Sequence, residues 1–432
     1  MYKRLPHGPH RLARDEVVLH QRRRIHGGMI EAVAQSGYER TSVKQVIALA
    51  GVSRRSFYEL FANKEACFLT TFDLIADRDI RRVTDAYRGA GGPIEERLGA
   101  TFAKFVEQGS ASRKATLLVL VEAQKAGPAA TLRLRRATAT CEQLLARCFA
   151  ESPDASALPT PIVRCMIGGL HGALASRLGS SPSTRDDGLA EQMLSWTLLF
   201  QSPTVEAMAD RLGRRLTRRM RQISLASAHR RVEDPAGPDQ DERARLLEHA
   251  LRLAALHDYR ELTGPQIADE AHVSIDTFLE LFADRDECFL AALDMIGAEL
   301  RGMAAVASTS ADWPQAVRSA VAAIMSRVAE RPVYARTIAQ EAFFAGAGAV
   351  ERNLALTRDI AVLLTEGAPA PARCEVAIDA IAGAFLQVLR CQVMAGRIQL
   401  LAALSDYFAY VVLAPFIGAE AAADALAVDA PS

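Results

Sequence analysis

An internal repeat constrains the fold of this chain more than any other feature. Residues 38–69 align with residues 259–290 without a gap at a shift of 221 positions, and 13 of these 32 pairs are identical. A weaker echo follows, in which residues 121–130 face residues 340–349. Solenoid repeats have periods of about 20–50 residues, far shorter than this one. The sequence therefore predicts two domains of one kind, placed one after the other.

Length and hydrophobic periodicity set the fold class. The chain has 432 residues, more than one hydrophobic core usually holds. Half of the residues are hydrophobic and 24% are charged, as in ordinary globular proteins. Apolar residues recur with helical spacing, and no convincing run alternates as a strand does. We therefore expect an all-α protein, with the acidic Pro/Gly-bearing segment 232–241 as the linker between its halves.

Several classes of protein are disfavoured by what the sequence lacks. The seven cysteines form no CxxC pair and lie beside no histidine cluster, which argues against a disulfide framework or zinc site and fits a reducing cytoplasm. The amino-terminal segment lacks the apolar region of a signal peptide, and no apolar run approaches the ~18–20 residues that span a membrane. Metalloprotease, nucleophile-elbow, phosphate-loop and dinucleotide-binding motifs are missing. We expect no catalytic residue, no metal site, no cofactor and no membrane association.

Residues 22–69 have the pattern of a helix-turn-helix. A first helix is predicted over residues 22–35. Ser42 and Gln45 have the spacing of a capping box, which starts a second helix. Gly51 then permits a tight turn. Two short helices joined by a glycine turn are the frame of a DNA-reading domain.

The third predicted helix carries the chemistry that reads DNA. Ser53 caps this helix, and Arg54 and Arg55 open its first turn. A recognition helix places its amino-terminal residues in the major groove, where arginine donates two hydrogen bonds to guanine. Further donors expected at the DNA or its phosphates are Thr41, Ser42, Lys44, Ser56, Tyr58 and Lys64.

Basic residues also precede the motif. Residues 1–68 hold 12 Lys or Arg against 6 Asp or Glu. The segment 1–21 is predicted to be a basic arm, and Arg22, Arg23 and Arg24 follow it directly. These arginines would contact the DNA backbone or the minor groove, or they would belong to a solvated tail. The sequence favours neither reading.

The second copy lacks the DNA chemistry. Ile275 and Asp276 stand where the first copy has its two arginines, Pro265 replaces the lysine of the second helix, and Leu279 replaces the tyrosine. Residues 245–289 hold four Arg against ten Asp or Glu, and an acidic face repels phosphates. The apolar core positions are kept, namely Ile267, Val273, Phe278, Leu281 and Phe282. We therefore expect the fold to persist here without DNA binding.

The segment GYERTSVKQVIALAGVSRRSFYELFANKEACF, residues 37–68, closely resembles the TetR family of bacterial regulators. The resemblance covers about 50 residues of each half. It implies a three-helix DNA-binding domain followed by a larger helical domain that binds a small molecule and dimerises. The expected division is an arm 1–21, a helix-turn-helix domain 22–69, a regulatory domain 70–231, a linker 232–241, a degenerate helix-turn-helix domain 242–290, a second regulatory domain 291–420 and a tail 421–432.

The resemblance also implies how the regulatory domains associate. In this family the last two long helices form a four-helix bundle with a partner. The corresponding segments are 161–179, 188–200, 374–396 and 398–416. Gly168 and Gly172 would let another helix approach closely, as would the small residues Ala382, Gly383 and Ala384 of the second copy, although small residues also occur in ordinary cores. We expect the two halves to pack on each other as an intramolecular pseudo-dimer, with a homodimer of whole chains as the rival or additional arrangement.

A small hydrophobic effector is implied by the same resemblance. Aromatic, methionine and histidine side chains in both regulatory halves would line its pocket, although such residues more often belong to a packed core. The candidates are Phe102, Phe105, Met166, His171, Trp196, Phe343, Phe344, Phe385, Met394 and Tyr407. His171 is more readily explained as a helix histidine than as a metal ligand.

Together these features predict a cytoplasmic transcription regulator that binds double-stranded operator DNA. By resemblance it is a repressor released by a small hydrophobic ligand, with the first helix-turn-helix competent and the second degenerate. The alternative is a helical sensor or scaffold that does not bind DNA. Such a scaffold has no need of Arg54 and Arg55, so these residues favour the regulator.

Overall fold

The computed structural model describes residues 14–153, 157–179, 188–201, 208, 210, 212–214, 216–218, 241–257, 259–309, 312–369 and 376–427. All regular elements in these ranges are helical, and no strand occurs among them. The all-α prediction is therefore confirmed. The expected linker, except for Asp241, and the first 13 residues of the expected arm lie outside the described residues.

The helices before the linker belong to the first copy, and those after it belong to the second. The first copy contains α1 (Arg14–Arg40), α2 (Val43–Ala50), α3 (Arg54–Leu60), α4 (Lys64–Gly89), α5 (Ile94–Ala111), α6 (Arg113–Leu120), a 3-10 turn (Glu122–Gln124), α7 (Pro128–Ala150), α8 (Thr160–Gly179) and α9 (Leu189–Leu198).

The second copy begins with α10 (Glu242–Leu256), a 3-10 turn (Tyr259–Glu261), α11 (Gly264–Glu270), α12 (Ile275–Leu281), α13 (Arg285–Ala305) and a 3-10 turn (Val306–Thr309). It continues with α14 (Trp313–Glu330), α15 (Pro332–Arg336), a π-helical turn (Thr337–Glu341), α16 (Ala342–Phe344), α17 (Ala347–Thr365), α18 (Ala377–Met394), a 3-10 turn (Ile398–Leu404), α19 (Ser405–Ile417) and α20 (Ala419–Ala425).

We call residues 22–69 the first head and residues 242–290 the second head. In the first head, α1 is longer than the predicted 22–35 because it begins at Arg14 and resumes after a kink at Gly37, where φ is 74° and ψ is 162°. The glycine therefore breaks the helix close to the predicted end, but a short final turn follows it.

Apolar side chains from α1 to α4 form the core of the first head. Ile25 and Met29 of α1, Phe57 of α3, and Phe68 and Phe72 of α4 are all buried. In a helix, residues three or four positions apart lie on the same face. The spacing of Ile25 and Met29, like that of Phe68 and Phe72, therefore places each pair on the buried face of its long helix.

The chain divides into two compact units. One contains residues 1–92, 96–141 and 174–190, and the other contains residues 93–95, 142–173 and 191–432. The first head lies in the first unit and the second head in the second. The units therefore do not coincide with the two halves on either side of the linker, because most of α8 and most of α9 group with the second copy.

A close helix crossing explains this grouping. In the second unit, α8 of the first copy packs on α18 of the second copy at backbone distance. A Cβ atom at Gly168 would lie 2.8 Å from the carbonyl oxygen of Gly383, and one at Gly172 would lie 2.9 Å from the Gly383 Cα. Only glycine leaves room for such an approach.

Polar and aromatic contacts surround the crossing. The Gln387 amide of α18 donates a hydrogen bond to Glu142 of α7 at 2.9 Å. Trp196 of α9 is fully buried and stacks edge-on against Phe200, whose ring lies 5.9 Å from that of Tyr410 in α19. Segments from both copies therefore share one core in this unit.

Two helical segments in the second copy differ from the expectation about apolar runs. Ala377–Met394 and Ile398–Ile417 are long and apolar enough to cross a membrane by length and composition. More than half of each segment is buried inside the protein. Polar residues interrupt both apolar runs, and the burial is what a core helix requires.

Candidate nucleic-acid interface

The local geometry of the first head follows from its caps. The Ser42 side chain accepts a hydrogen bond from the Gln45 backbone N–H, while the Gln45 side chain accepts one from the Ser42 backbone. Gly51 ends α2 in the left-handed conformation, with φ 60° and ψ 40°. The Ser53 side chain then accepts from the Ser56 N–H and starts α3. The capping box, the turn and the α3 cap form as predicted.

The predicted base-reading residues are exposed on α3. Arg54 and Arg55 both lie on the surface. The Arg54 guanidinium lies over the ring of Tyr58, 5.6 Å from its centroid, and the Tyr58 side chain is 45% exposed. Arg55 forms an exposed ion pair with Glu59 at 2.9 Å. Exposed pairs of this kind are weak, so a stronger acceptor can displace the carboxylate.

Lys44 and Ser42 are also exposed, on α2 and at its start. Lys44 belongs to the same short helix that precedes the reading helix, where a cation can approach the DNA backbone. Ser53 and Ser56 share a hydrogen bond between their hydroxyl groups at 2.9 Å. Their side chains therefore stabilise the start of α3 and are less available to a phosphate.

Thr41 differs from its prediction. Its side chain is only 3% exposed, and its hydroxyl donates a hydrogen bond to the Gly37 carbonyl at 2.7 Å. This bond stabilises the kink at Gly37 within α1. The structure therefore gives Thr41 a local structural role and does not present its hydroxyl to a phosphate.

Lys64 is already engaged within the head. Its ammonium donates hydrogen bonds to the carbonyl oxygens of Tyr38 and Glu39, at 3.1 and 3.3 Å, and lies 4.3 Å from the centroid of the Tyr38 ring. Arg285 makes the same contacts in the second head, where it donates to the carbonyls of Tyr259 and Arg260. Because both copies keep this arrangement, the cation at this position ties α4 to the end of α1.

Arg22, Arg23 and Arg24 do not form an arm. All three lie within α1. Arg22 and Arg23 are exposed, whereas the Arg24 guanidinium donates a hydrogen bond to the Gly51 carbonyl at 2.6 Å. Arg24 therefore braces the turn between α2 and α3. A helix continues here because no glycine or proline interrupts residues 14–26.

Glu122 makes a supporting contact to the first head that sequence reasoning missed. Its carboxylate accepts a hydrogen bond from the Tyr38 backbone N–H at 2.8 Å and pairs with Lys125 at 2.7 Å. This contact joins the turn after α6 to the end of α1 within the first unit. The echo between residues 121–130 and 340–349 contained the signal, since it aligns Glu122 with the buried Glu341.

His26 is a buried titratable group in the core of the first head. Its Nδ1 lies 2.7 Å from the Thr71 hydroxyl oxygen, and its ring packs edge-on against Phe61. Burial, together with the positive charge of Arg22, lowers the pKa of His26 from 6.5 to about 4. The imidazole is therefore neutral at physiological pH, and it serves packing.

The second head keeps the caps but changes the surface. Ser274 caps α12 as Ser53 caps α3. At the arginine positions, Ile275 is 40% exposed and Asp276 is exposed. Leu279, at the tyrosine position, is 57% exposed. Four of the five core positions expected here are buried. The prediction for Leu281 is wrong, because its side chain is exposed at the end of α12.

The packing beneath that surface also differs between the heads. A Cβ at Gly28 of α1 would lie 2.6 Å from the Val46 carbonyl oxygen, so α1 and α2 are in backbone contact. The same register in α10 has the buried His249. Gly264 stands at the Val43 position, and a Cβ there would meet the Phe278 ring at 2.8 Å. The second head therefore differs from the first in its core packing as well as in its lack of the two exposed arginines.

Comparison with known proteins identifies the two heads. Residues 30–83 and residues 246–292 both match the family model described as bacterial regulatory proteins, tetR family. The chain is a tandem TetR-family regulator. Each match contains the α2–turn–α3 geometry or its second-copy counterpart, so the predicted repeat is also confirmed. The comparison with curated proteins found no match to this chain.

Solved structures similar to this TetR-family chain include three regulators. They are the fatty acid degradation regulator FadR from Bacillus halodurans (17% identity, TM-score 0.37, covering 41% of this chain and 97% of that one), the regulator FadR from Bacillus subtilis in complex with stearoyl-CoA (17%, 0.37, 40% and 96%), and a TetR-family regulator from Marinobacter aquaeolei (19%, 0.36, 42% and 96%).

The predicted effector residues lie in the cores of the TetR-family chain. Phe102, Met166, Trp196, Phe343, Phe344, Phe385 and Tyr407 are buried, and Phe105, His171 and Met394 are partly buried. Trp196 fills the space beside Gly169 in the crossing described above. An open cavity of about 340 Å³ beside α10 and α13 is lined instead by Asp241, Arg243, Ala244, Leu247, Ala291, Asp294 and Met295.

His171 has the character of a core histidine. Burial and the nearby positive charge of Arg390 lower its pKa from 6.5 to about 4. Arg390 itself lies over the ring of Phe343, 4.7 Å from the centroid. Among the described residues, no group of three or more His, Cys, Asp and Glu side chains is arranged to hold a metal ion.

Proposed function

We propose that this regulator is a repressor whose first head binds operator DNA and whose second head does not. The observation that carries the proposal is the exchange of side chains at one pair of positions. Arg54 and Arg55 are exposed at the start of α3, whereas Ile275 and Asp276 are exposed at the start of α12. Arginine donates to guanine in the major groove, and neither isoleucine nor aspartate can do so.

Charge supports the same division of labour. Residues 24–68 hold six Lys or Arg against four Asp or Glu, while residues 245–289 hold four against ten. Binding to DNA rests largely on neutralising phosphates. A head with an excess of six acidic groups repels the duplex at every approach.

The exposed residues suggest distinct roles at the DNA. Arg54 and Arg55 would contact base edges, with Tyr58 holding the Arg54 guanidinium from below. Lys44, Arg22 and Arg23 would contact the sugar-phosphate backbone, together with the backbone amides at the amino termini of α2 and α3. In this proposal Arg24 and Lys64 support the head from within.

We propose that the two copies form a pseudo-dimer inside one chain. The close approach of Gly168 and Gly172 to Gly383, and the burial of Trp196 beside α18, support this arrangement. A fused partner is always present at high effective concentration. The second head is thereby freed from selection for DNA binding, and a palindromic operator would need two chains.

We also propose that a small hydrophobic effector releases the repressor by binding among the helices of a regulatory half. The apolar and aromatic content of both halves supports this part of the proposal. A ligand that binds only the folded state raises the melting temperature. Thermal melts against a panel of hydrophobic compounds therefore test it, and a panel without any shift would contradict it.

A genomic footprint of the full chain tests the proposal that this cytoplasmic regulator binds operator DNA and is released by a ligand. The footprint is repeated with and without each compound that raises the melting temperature. We expect discrete sites that are lost when ligand is added. The alternative function is a helical sensor or scaffold that ignores DNA. Retention on a DNA or heparin column at low salt, lost as salt rises, would exclude the scaffold, and no retention even at low salt would exclude the repressor.

A further inference from the structure

The second head exposes an apolar stripe with acidic borders where its relative reads DNA. Ile275 and Leu279 are one turn apart on α12, so they lie on the same face, and their side chains are 40% and 57% exposed. Asp276 and Glu280 are exposed beside them on the same helix. Apolar side chains grouped on a surface and rimmed by charge mark interaction sites.

The first head exposes the complementary surface. Arg54, Arg55 and Lys44 are exposed on α2 and α3. Tyr58 lies among them, and Leu49 of α2 is exposed as well. Both surfaces thus combine apolar side chains with charges of opposite sign on the same structural element.

We propose that the second head of one molecule docks on the first head of a second copy of this chain and occludes its DNA-reading face. The acidic groups of α12 would pair with the arginines of α3, as phosphates would. Ile275 and Leu279 would pack against Tyr58 and Leu49. Electrostatic complementarity of this kind chooses the partner and the orientation.

The small size and the charge of the contact determine its expected strength and salt dependence. A short helix against a short helix buries less than the area of a stable interface, so association is weak and transient. It weakens as salt rises, because exposed charges are screened beyond about 8–10 Å at physiological ionic strength. It competes with DNA because both use Arg54 and Arg55.

Competition with DNA rests on the proposed function, whereas self-association does not. At low concentration each chain is free to bind DNA, and at high concentration the copies occupy each other. The protein would thereby limit its own DNA occupancy as it accumulates.

A pair of charge-reversed full-length chains tests the contact. One chain carries Arg54→Glu with Arg55→Glu, and the other carries Asp276→Arg with Glu280→Arg. Wild type is expected to self-associate at low salt in sedimentation velocity and to dissociate as salt rises. Each variant alone should lose this association, because its two surfaces now have the same charge. An equimolar mixture of the two variants should recover it.

The opposite results are equally clear. Variants that associate alone as strongly as wild type would overturn the proposal, as would a mixture that fails to associate. Wild type that stays a single species at low salt and high micromolar concentration would do the same. All four substituted positions are exposed, and a thermal melt of each variant verifies that it folds.

A second variant separates the apolar stripe from the charges. Ile275→Ser with Leu279→Ser leaves the net charge unchanged and should weaken self-association at least severalfold. The control is Leu354→Ser with Val362→Ser, which removes two aliphatic side chains of similar exposure from α17 in the same unit. The control should associate as wild type does, and equal loss in both variants would overturn the role of the stripe.

Unlabelled duplex DNA, added to the associated wild type, distinguishes this proposal from the proposed function. Dissociation on adding DNA supports both. Association that passes the charge-reversal test but resists DNA would contradict the assignment of the DNA face to α3, while the docking between heads would stand.

Discussion

Gly51 and His272 occupy the same position in the two heads, and both hold the left-handed backbone conformation. Their φ angles are 60° and 52°. The turn between the second and third helices is therefore retained in the second head although the glycine is gone. Among the described residues other than glycine, His272 is the one with positive φ.

The left-handed conformation of His272 predicts backbone strain in the second head, which substitution can relieve. A residue with a side chain pays about 1 kcal/mol or more in the left-handed region. His272→Gly should therefore stabilise the second head, offset in part by the greater freedom of glycine in the unfolded chain. Gly51→Ala should destabilise the first head by about 1 kcal/mol. Urea unfolding of the full chain measures both, and a stabilising Gly51→Ala would contradict the account.

Adjacent glycines in α1 provide a matched pair for the packing of the first head. Gly28→Ala places a Cβ 2.6 Å from the Val46 carbonyl oxygen, whereas Gly27 has nothing within 4 Å of that position. We expect Gly28→Ala to cost about 1–3 kcal/mol through overpacking. Gly27→Ala should be neutral or stabilise by up to about 1 kcal/mol. Equal melting temperatures for the two variants would show that α1 and α2 are not in backbone contact.

A similar pair tests the crossing of α8 and α18. Gly383→Ala would push a Cβ into the Gly168 carbonyl and the Gly172 Cα, whereas Gly302 in α13 of the same unit has open space. We expect a loss of about 1–3 kcal/mol for Gly383→Ala and no loss for Gly302→Ala. Differential scanning calorimetry detects the difference. If Gly383→Ala unfolds as wild type does, the two copies do not cross here.

His26 gives the first head a defined dependence on pH. Its pKa is lowered to about 4 in the folded state from a normal value of 6.5, so the unfolded chain binds the extra proton between these values. Above pH 6.5, proton binding to His26 does not reduce the free energy of unfolding. As pH falls from 6.5 toward 4, the free energy of unfolding decreases by at most about 1.4 kcal/mol per pH unit, because the unfolded chain binds the proton more tightly. The protection factors of the α1 amides, which are exchange rates corrected for the intrinsic pH dependence of amide exchange, should therefore decrease as pH falls over this range.

His26→Gln provides the comparison, because glutamine cannot titrate. Carboxylates elsewhere contribute their own pH dependence, and they contribute equally to both proteins. The difference in stability between wild type and variant should narrow as pH falls from 6.5 to 4. A difference that stays constant would mean that His26 binds its proton equally well in the folded and unfolded states, so that burial does not lower its pKa.

Much of this fold could be predicted from the sequence because its signals are local. Caps at Ser42, Ser53 and Asn63 place the starts of α2, α3 and α4 directly. The repeat then carried the same reasoning to the second head. The replacement of its two arginines could be recognised from the sequence alone, because the role of an exposed residue depends little on contacts with distant residues.

The remaining features depend on contacts between distant residues. Thr41 looked like a phosphate donor, and only its neighbours show that its hydroxyl bonds to Gly37. Arg24 looked like a DNA contact or part of a solvated tail, yet it reaches 27 positions along the chain to the Gly51 carbonyl. The difference in packing between Gly28 and His249 could not be predicted, because the need for glycine at this position depends on how closely the second helix approaches.

The central claim is that DNA binding lies in the first head alone, and a comparison of two double variants tests it most directly. Labelled DNA recovered from the genomic footprint is titrated with dilute full-length protein, and anisotropy reports the affinity. Arg54→Ala with Arg55→Ala should cost about 1–3 kcal/mol for each arginine that reads a base. Ile275→Ala with Asp276→Ala, at the same positions of the second head, should leave the affinity unchanged. Wild-type affinity in the arginine variant, or an equal loss in the second-head variant, would contradict the account.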